Sequence, residues 1–362
     1  MTPSLPAGDV LSGVRREIER TAIRARNGIR YATGAEWAPI SPTPSDVVWE
    51  DGKVRLRHYR RDGPPTLGPP VLLFLGLVGR SYVFDLWQGN SIVELLKERG
   101  FDVFVLDWGE PDERDAGNTL ETYLQSYFPR AIRALLDESG AADVNALSYC
   151  MGGNLALQAL AGQPTLPIRS LVTMATPVDF THLGPVIDLL REGRIDPDAM
   201  LDEDGNVPGA LVRQSFKLRK PTGDVVQYVN LWQHLWNDEY MEGFQAIGRF
   251  LQDHIPIPGA VFRQIVEQWV QGNGFMEDRL RLGGRRVSLG IISIPVLGVV
   301  AERDDIVPEE ATAPLVDVLR GADVELMRLD AGHASLTSGR KAVKVVLPQV
   351  FEWIAGHSEE VA

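Results

Sequence analysis

Short apolar segments alternate with helical patterns along most of the chain. Segments of strand character begin at Asp46, Val54 and Val71, and another follows at 102–108. Because strands that alternate with helices pair in parallel, the pattern predicts an α/β fold with a mostly parallel central sheet flanked by helices. The other predicted elements are helices at 90–99, 119–139 and 308–320 and strands at 144–149, 171–175, 294–300 and 326–329.

The alternation stops between residues 177 and 288. Turn signals at 204–206 and 255–259 separate helical patterns there, which predicts a mainly helical cap, or lid, inserted into the core. We expect its aromatic side chains to form the core of the cap rather than a substrate tunnel. They are Trp232, Trp236, Phe244, Phe250, Phe262 and Trp269.

The chain before residue 46 has a different character. An amphipathic helix is predicted at 10–31, and a linker rich in proline and serine follows at 38–44. We expect this arm to pack on the body, and its arginines leave a docking role open. The predicted organisation is an arm and linker at 1–45, an α/β core at 46–176 and 289–357, and a cap at 177–288.

Composition agrees with a cytoplasmic enzyme. The 362 residues, 44% hydrophobic and 23% charged, suffice for one elaborated domain with a cap. The net charge of −13 disfavours nucleic acid as a partner. We expect no membrane span and no signal peptide, since apolar runs stay well short of roughly 18 residues and the first residues lack the basic-then-apolar pattern. A single cysteine precludes an internal disulfide.

That cysteine, Cys150, lies where a strand turns sharply into a helix. The segment 144–149 is largely apolar, and Gly152 and Gly153 follow the cysteine where a Cβ would collide. Such a turn holds a nucleophile in a strained conformation and points it into an open site. A lone cysteine is most often an inert buried residue, but this setting favours a nucleophile. Sulfur in place of the usual serine oxygen suggests chemistry on thioesters.

Two partners follow the cysteine at the ends of later strands. Asp304 comes after the strand at 294–300, and His333 comes after the strand at 326–329. The order of nucleophile, acid and histidine is that of the α/β-hydrolase triad. The remaining histidines lack such a setting, and we interpret them as structural or surface residues. They are His58, His182, His234, His254 and His357.

Two backbone amides are predicted to complete the site as an oxyanion hole. The strand that begins at Val71 ends in a glycine-bearing turn, where such folds place one N–H donor. We expect Leu77 rather than Val78 to supply it, and Met151, directly after the nucleophile, to supply the second. The sequence shows no metal-spaced ligand cluster and no phosphate-cradling loop, so no metal or cofactor is expected.

Several further motifs occur in one order along the chain. They lie at 77–86, 105–112, 119–123, 147–153, 204–209, 283–287, 304–308 and 332–333. Together they resemble the catalytic subunit of class III polyhydroxyalkanoate synthases, from about residue 45 to residue 355. Several motifs in one order are far more specific than any one of them.

The resemblance implies polymerisation of (R)-3-hydroxyacyl-CoA into a polyester, with release of coenzyme A through a covalent thioester on Cys150. His333 would activate the cysteine, and Asp304 would orient His333 or help it deprotonate the 3-hydroxyl of the incoming unit. The coenzyme A thioester is then a substrate rather than a cofactor. The resemblance also implies a homodimer with a second, non-catalytic synthase subunit, located in the cytoplasm or at the surface of polyester granules.

Four positions depart from the family pattern. The family usually has glycine at the position of Ser148, asparagine and proline at those of Gly79 and Ser81, and histidine at that of Asp305. Two alternatives stay open at the level of sequence. The same triad serves an acyl-CoA thioesterase, in which water is the acceptor, and a non-catalytic accessory or granule-associated protein could keep the scaffold. Acyl chain length and the open or closed state of the cap stay open too.

Overall fold

The computed structural model describes residues 7–35, 39–219 and 230–361. The other residues, which include parts of the predicted arm, linker and cap, lie outside this description. None of the helices within it is both long and apolar enough to cross a bilayer.

A central sheet of nine strands organises the described chain. The strands of the molecule are β1 (Asp46–Asp51), β2 (Val54–Tyr59), β3 (Leu67–Leu75), β4 (Asp85–Trp87), β5 (Asn90–Ser91), β6 (Phe101–Asp107), β7 (Val144–Tyr149), β8 (Ile168–Met174), β9 (Asn206–Val207), β10 (Ile257–Pro258), β11 (Arg281–Leu282), β12 (Arg285–Arg286), β13 (Val296–Ala301), β14 (Val324–Leu329) and β15 (Glu359–Glu360). The sheet has the order β1-β2-β6-β3-β7-β8-β13-β14, and β15 pairs with β3. The run from β6 to β14 is parallel, which confirms the predicted mostly parallel sheet.

Helices fill the connections between the strands. Among the described residues, the α-helices include α1 (Ala7–Ala32), α2 (Ile92–Glu98), α3 (Phe128–Ser139), α4 (Met151–Gly162), α5 (Pro185–Arg191), α6 (Gly209–Arg219), α7 (Asp238–Gln252), α8 (Gly259–Gln264), α9 (Glu309–Thr312), α10 (Leu315–Val318), α11 (Gly339–Lys341) and α12 (Leu347–Gly356). Three π-helical segments extend them, at Thr122–Tyr127, Ile265–Gln271 and Ala342–Val346.

The middle of the sheet is buried on both faces. Residues 71–75 of β3 and all of β7 are buried, as continuous apolar strands of a helix-covered parallel sheet are. Parallel strands end at the same edge, and Cys150, Asp304 and His333 follow β7, β13 and β14 there. The topology therefore gathers the three predicted catalytic residues at one edge.

Two predicted helices differ in the structure. The single helix predicted at 308–320 is wrong: the chain forms the short helices α9 and α10, because Pro314 lacks the N–H that a continuous helix needs there. The helix predicted at 119–139 starts as a π-helical segment and continues as α3, whose second residue is Pro129.

Residues 177–288, which we call the insertion, are mainly helical in their described part and also hold the strand pairs β9–β10 and β11–β12. Trp269 and Phe262 are buried, at 1% and 8% exposure. Trp232 is 70% exposed, so its expected place in the cap core is wrong. An exposed aromatic side chain on a helix and a buried one look alike in the sequence.

The N-terminal arm packs on the insertion. The side-chain amide of Asn27, which is fully buried, donates to Leu235 O at 2.8 Å. Arg26 pairs with Asp238 at 2.7 Å, and the guanidinium of Arg20 lies 4.3 Å from the centre of the Trp236 ring. The described arm is thus held by a buried hydrogen bond and by charge rather than by apolar contact alone.

Candidate active site

Cys150 occupies the turn between β7 and α4. Its φ of 54° and ψ of −127° are values that residues with a side chain rarely adopt. A Cβ at Gly152 would lie 2.9 Å from the backbone of Leu75, and one at Gly153 would collide with the Thr176 side chain. Glycine is therefore needed at both positions for α4 to pass so close to its neighbours.

Hydrogen bonds to the adjacent strand and loop hold this strained residue. The Cys150 N–H donates to Met174 O at 2.8 Å, and the Thr176 hydroxyl donates to the Cys150 carbonyl at 2.9 Å. Ser148 is fully buried, and its hydroxyl donates to Val172 O at 2.9 Å. The serine is thus accommodated in β7 with its hydroxyl bonded, so this departure from the family pattern leaves the turn intact.

Asp304 and His333 form a buried acid–histidine pair. Asp304 Oδ1 accepts hydrogen bonds from the N–H groups of Ile306 and Val307, both at 2.8 Å. Its Oδ2 accepts from His333 Nδ1 at 2.7 Å. The carboxylate side chain has no exposed surface, and the imidazole is 13% exposed. Because Nδ1 is engaged, Nε2 is the ring nitrogen left to exchange a proton.

The surroundings of His333 favour its charged form. Burial disfavours the imidazolium, but the charge and hydrogen bond of Asp304, together with Cys150, outweigh burial and raise the pKa of His333 to about 10. The structure thus brings Cys150, His333 and Asp304 together. An imidazolium in this position can hold a thiolate by charge and can give a proton to a leaving group.

Tyr149 supports His333, although sequence reasoning misses it. Its hydroxyl donates to the His333 carbonyl at 3.2 Å, and the two ring centres lie 5.0 Å apart. Burial and the charges of Cys150 and Asp304 hold the pKa of Tyr149 well above its ordinary value, so the phenol stays a donor. The position of Tyr149, directly before the cysteine, is the sequence feature that could have indicated this role.

Two other departures from the family pattern lie around the site. Asp305 is exposed, unlike its neighbour Asp304, so the two adjacent carboxylates occupy different environments. At Gly79 a Cβ would lie 2.8 Å from Leu75 Cδ1 and 3.4 Å from the Phe250 ring. Packing under the insertion therefore leaves little room for a larger residue at this turn.

The residues predicted to supply the oxyanion donors lie in the turn after β3 and at the start of α4. Met151 is the first residue of α4, so the helix offers its N–H no partner four residues earlier. Leu77 is buried in the core, while its neighbour Val78 lines the same cavity as Cys150 and Met151. The turn after β3 thus offers two amides, and the cavity wall includes Val78 rather than the expected Leu77.

An apolar cavity of about 190 Å³ adjoins Cys150. Val78, Met151, Ile306 and Val307 line it from the core. Most of the remaining wall comes from the insertion, including Leu183, Val212, Phe216, Phe262 and Trp269. Two aromatic side chains expected in the cap core therefore also line this space. In the described part of the chain, no group of three or more His, Cys, Asp or Glu side chains could hold a metal ion.

The fold defines the broad class. The sequence profile of the alpha/beta hydrolase fold matches residues 69–204, from β3 into the insertion. The parallel sheet and the order of Cys150, Asp304 and His333 agree with it. The predicted α/β-hydrolase fold is confirmed.

Curated relatives then identify the family. Poly(3-hydroxyalkanoate) polymerase subunit PhaC of Allochromatium vinosum is 32% identical over 332 residues, which cover 90% of this chain and 92% of the relative. The subunit of the same name from Haloferax mediterranei is also 32% identical, but the match covers 88% of this chain and only 65% of that relative. The chain belongs to the family of poly(3-hydroxyalkanoate) polymerase PhaC subunits, as the resemblance predicted.

Proposed function

We propose that the protein polymerises 3-hydroxyacyl groups from coenzyme A thioesters, with a Cys150–His333–Asp304 triad. One observation carries the proposal: a single cysteine sits on a strained strand–helix turn, beside a buried His333–Asp304 pair and an apolar cavity. The names of the relatives, which are polymerase subunits, support the same reaction.

The first step transfers an acyl group to the cysteine. The Cys150 thiolate attacks the thioester carbonyl carbon, the bond from that carbon to the sulfur of coenzyme A breaks, and the His333 imidazolium protonates the departing sulfur. Acyl-Cys150, free coenzyme A and a neutral imidazole result. The N–H groups of Met151 and of Leu77 or Val78 bind the oxyanion, a contribution of about 3 to 4 kcal/mol per donor in comparable sites.

Chain growth requires the 3-hydroxyl of one unit to attack the thioester carbonyl of another. His333 takes the hydroxyl proton, an ester C–O bond forms, the thioester C–S bond breaks, and the proton passes to the released thiolate. Asp304 either orients His333 for this step or assists the deprotonation. Because water would compete with the hydroxyl, an apolar wall around the cysteine supports transfer over hydrolysis.

The cavity supports a short acyl substrate and a capping role for the insertion. A cavity of about 150 Å³ engineered in another protein binds benzene. The space beside Cys150, about 190 Å³, is therefore large enough for an acyl group of a few carbons. We propose 177–288 as a cap that closes this space over the core at 46–176 and 289–357. The reaction as written needs no metal or cofactor, since coenzyme A enters as part of the substrate.

Assembly is a separate part of the proposal. We propose a homodimer that works with a second, non-catalytic subunit in the cytoplasm, at the surface of the polyester granule it produces. The naming of the relatives as polymerase subunits supports the multi-subunit part of this proposal. Light scattering of the isolated chain tests this. We expect a dimer of low activity that a partner subunit stimulates, and a fully active monomer would contradict the proposal.

Incubation with 3-hydroxybutyryl-CoA tests the reaction itself. We expect release of coenzyme A together with insoluble polyester, and neither product from Cys150→Ala. Release with free 3-hydroxybutyrate alone would make the protein a thioesterase. No release, with or without a partner subunit, would contradict both enzymatic functions and favour an accessory role.

A further inference from the structure

Asn154 lines the cavity and has an unused hydrogen-bond acceptor. It lies in α4, four residues after Cys150, and is 1% exposed. Its Nδ2 donates to the Pro177 carbonyl at 2.6 Å, which sets the orientation of the amide. Its Oδ1 is buried and accepts no hydrogen bond from any residue that the structure describes. Such an oxygen is costly to leave unpaired, so its natural complement is a donor on a bound molecule.

The position of Asn154 suits an acyl group on the cysteine. Cys150 directly precedes α4 and Asn154 lies in the first turn of that helix, and both residues line the same cavity. The third carbon of an acyl group lies two carbons beyond the thioester carbonyl. An acyl chain that leaves the cysteine sulfur and enters the cavity therefore carries its third carbon toward Asn154.

The chemistry of Oδ1 limits what it can bind. An amide oxygen accepts hydrogen bonds and cannot donate them, so its partner must be a donor. In a 3-hydroxyacyl thioester the carbonyl and the sulfur are acceptors, and the 3-hydroxyl is the donor. Ser215, another polar residue of the cavity wall, already donates its hydroxyl to Val212 O at 2.7 Å.

We propose that Asn154 Oδ1 accepts a hydrogen bond from the 3-hydroxyl of the acyl group on Cys150, and thereby selects 3-hydroxyacyl over unsubstituted acyl thioesters. This inference rests on the proposed function and adds a specificity-determining residue to it. An unsubstituted acyl group leaves Oδ1 unpaired in a largely apolar cavity, and sites of this kind discriminate strongly against substrates that lack the bonding group.

The test compares two substrates in a single turnover. Acylation is measured as the first-turnover release of coenzyme A from 3-hydroxybutyryl-CoA and from butyryl-CoA. We expect the wild-type protein to prefer the hydroxylated substrate and Asn154→Leu to reduce the ratio of the two rates by about tenfold or more. A general loss of structure slows both substrates together and leaves the ratio unchanged.

Asn145 provides a matched control. It is as buried as Asn154, but its amide donates to Ser358 Oγ and accepts from Ser170 Oγ, and it lies outside the cavity wall. Asn145→Leu should keep the wild-type ratio. If Asn154→Leu does not fold, Asn154→Ala removes the same oxygen with less bulk and is measured in its place.

Two outcomes would overturn the inference alone. A wild-type protein that acylates equally with both substrates, or an Asn154 variant with an unchanged ratio, would show that Oδ1 does not bind the hydroxyl. In either case the proposed function would stand, because acylation occurs. A wild-type protein that acylates with neither substrate would overturn the proposed function and this inference together.

Discussion

The two walls of the cavity are built in different ways. On the core side, Cys150 lines the cavity and is bonded to the strand beside it, and Asp304, which lies outside the cavity wall, binds two backbone amides and the His333 imidazole. On the insertion wall, helices present mainly apolar side chains to the cavity, although the insertion also forms polar bonds to the core, such as that from Trp269 Nε1 to Gln158 Oε1 at 2.8 Å. Groups that move protons thus sit on strand ends, while the surface that receives the acyl group is set by packing.

The two walls differ in how precisely their side chains must be positioned. Strand ends vary little in position because the sheet fixes them, and catalysis needs side chains held to within about 0.5 Å. An apolar wall tolerates changes of shape if its volume is kept. Changes to the core wall should therefore affect reaction rate or folding, and changes to the insertion should be milder.

The largest effect is expected at Asp304. Asp304→Asn keeps the shape but removes the charge that stabilises the imidazolium. We expect acylation to slow by roughly 10² to 10⁴-fold. The pKa of His333, about 10 in the unaltered protein, should fall towards its ordinary value. Single-turnover kinetics and an NMR titration of the imidazole measure the two effects.

Asp305→Asn is the matched control, since Asp305 is the exposed neighbour. It should keep the rate within a few-fold of the wild-type value. Equal losses in both variants would mean that Asp304 is not the acid of the triad.

A pair of glycine substitutions tests the contrast in folding. Gly152→Ala places a Cβ 2.9 Å from the backbone of Leu75. We expect it to lower the free energy of unfolding by about 1–3 kcal/mol. Gly248 lies inside α7 with open space around it. Gly248→Ala should raise the free energy of unfolding by roughly 0.5–1 kcal/mol, because alanine is the better helix former.

Urea unfolding followed by circular dichroism measures both values. Effects of the same sign would break the distinction between a tightly packed core wall and a tolerant insertion.

A smaller effect is expected in the pH dependence of stability. The pKa of His333 is raised from 6.5 to about 10, so the folded protein binds more protons than the unfolded chain between these values. This contribution to stability is complete below about pH 6.5 and is lost as the pH rises through 10. The free energy of unfolding should therefore fall with pH across this window, and fall less steeply in His333→Gln. A slope that His333→Gln leaves unchanged would argue against the charged pair.

Much of the core could be predicted because its strands and turns are determined by residues that are close together in the sequence. Burial on both faces makes residues 71–75 of β3 a continuous apolar run and β7 largely apolar, and the turn after β7 needs glycines at fixed positions. Since parallel strands end at one edge, the order of Cys150, Asp304 and His333 was enough to place them together.

The remaining features depend on contacts between distant segments. The pairing of β15 with β3 joins the end of the chain to an early strand, and the support that Tyr149 gives His333 depends on how the rings pack. The exposure of Trp232 and the unpaired oxygen of Asn154 likewise depend on tertiary packing. Pro314, which interrupts the predicted helix at 308–320, is visible in the sequence. Its missing N–H outweighs the helical pattern of the residues around it.

The proposed reaction requires Cys150 to carry the acyl group. Brief incubation with 3-hydroxybutyryl-CoA, followed by acid quench, proteolysis and mass spectrometry, tests it most directly. We expect the peptide containing Cys150 to gain one or more 3-hydroxybutyryl units. Coenzyme A release with no adduct at Cys150, or undiminished release from Cys150→Ala, would contradict it.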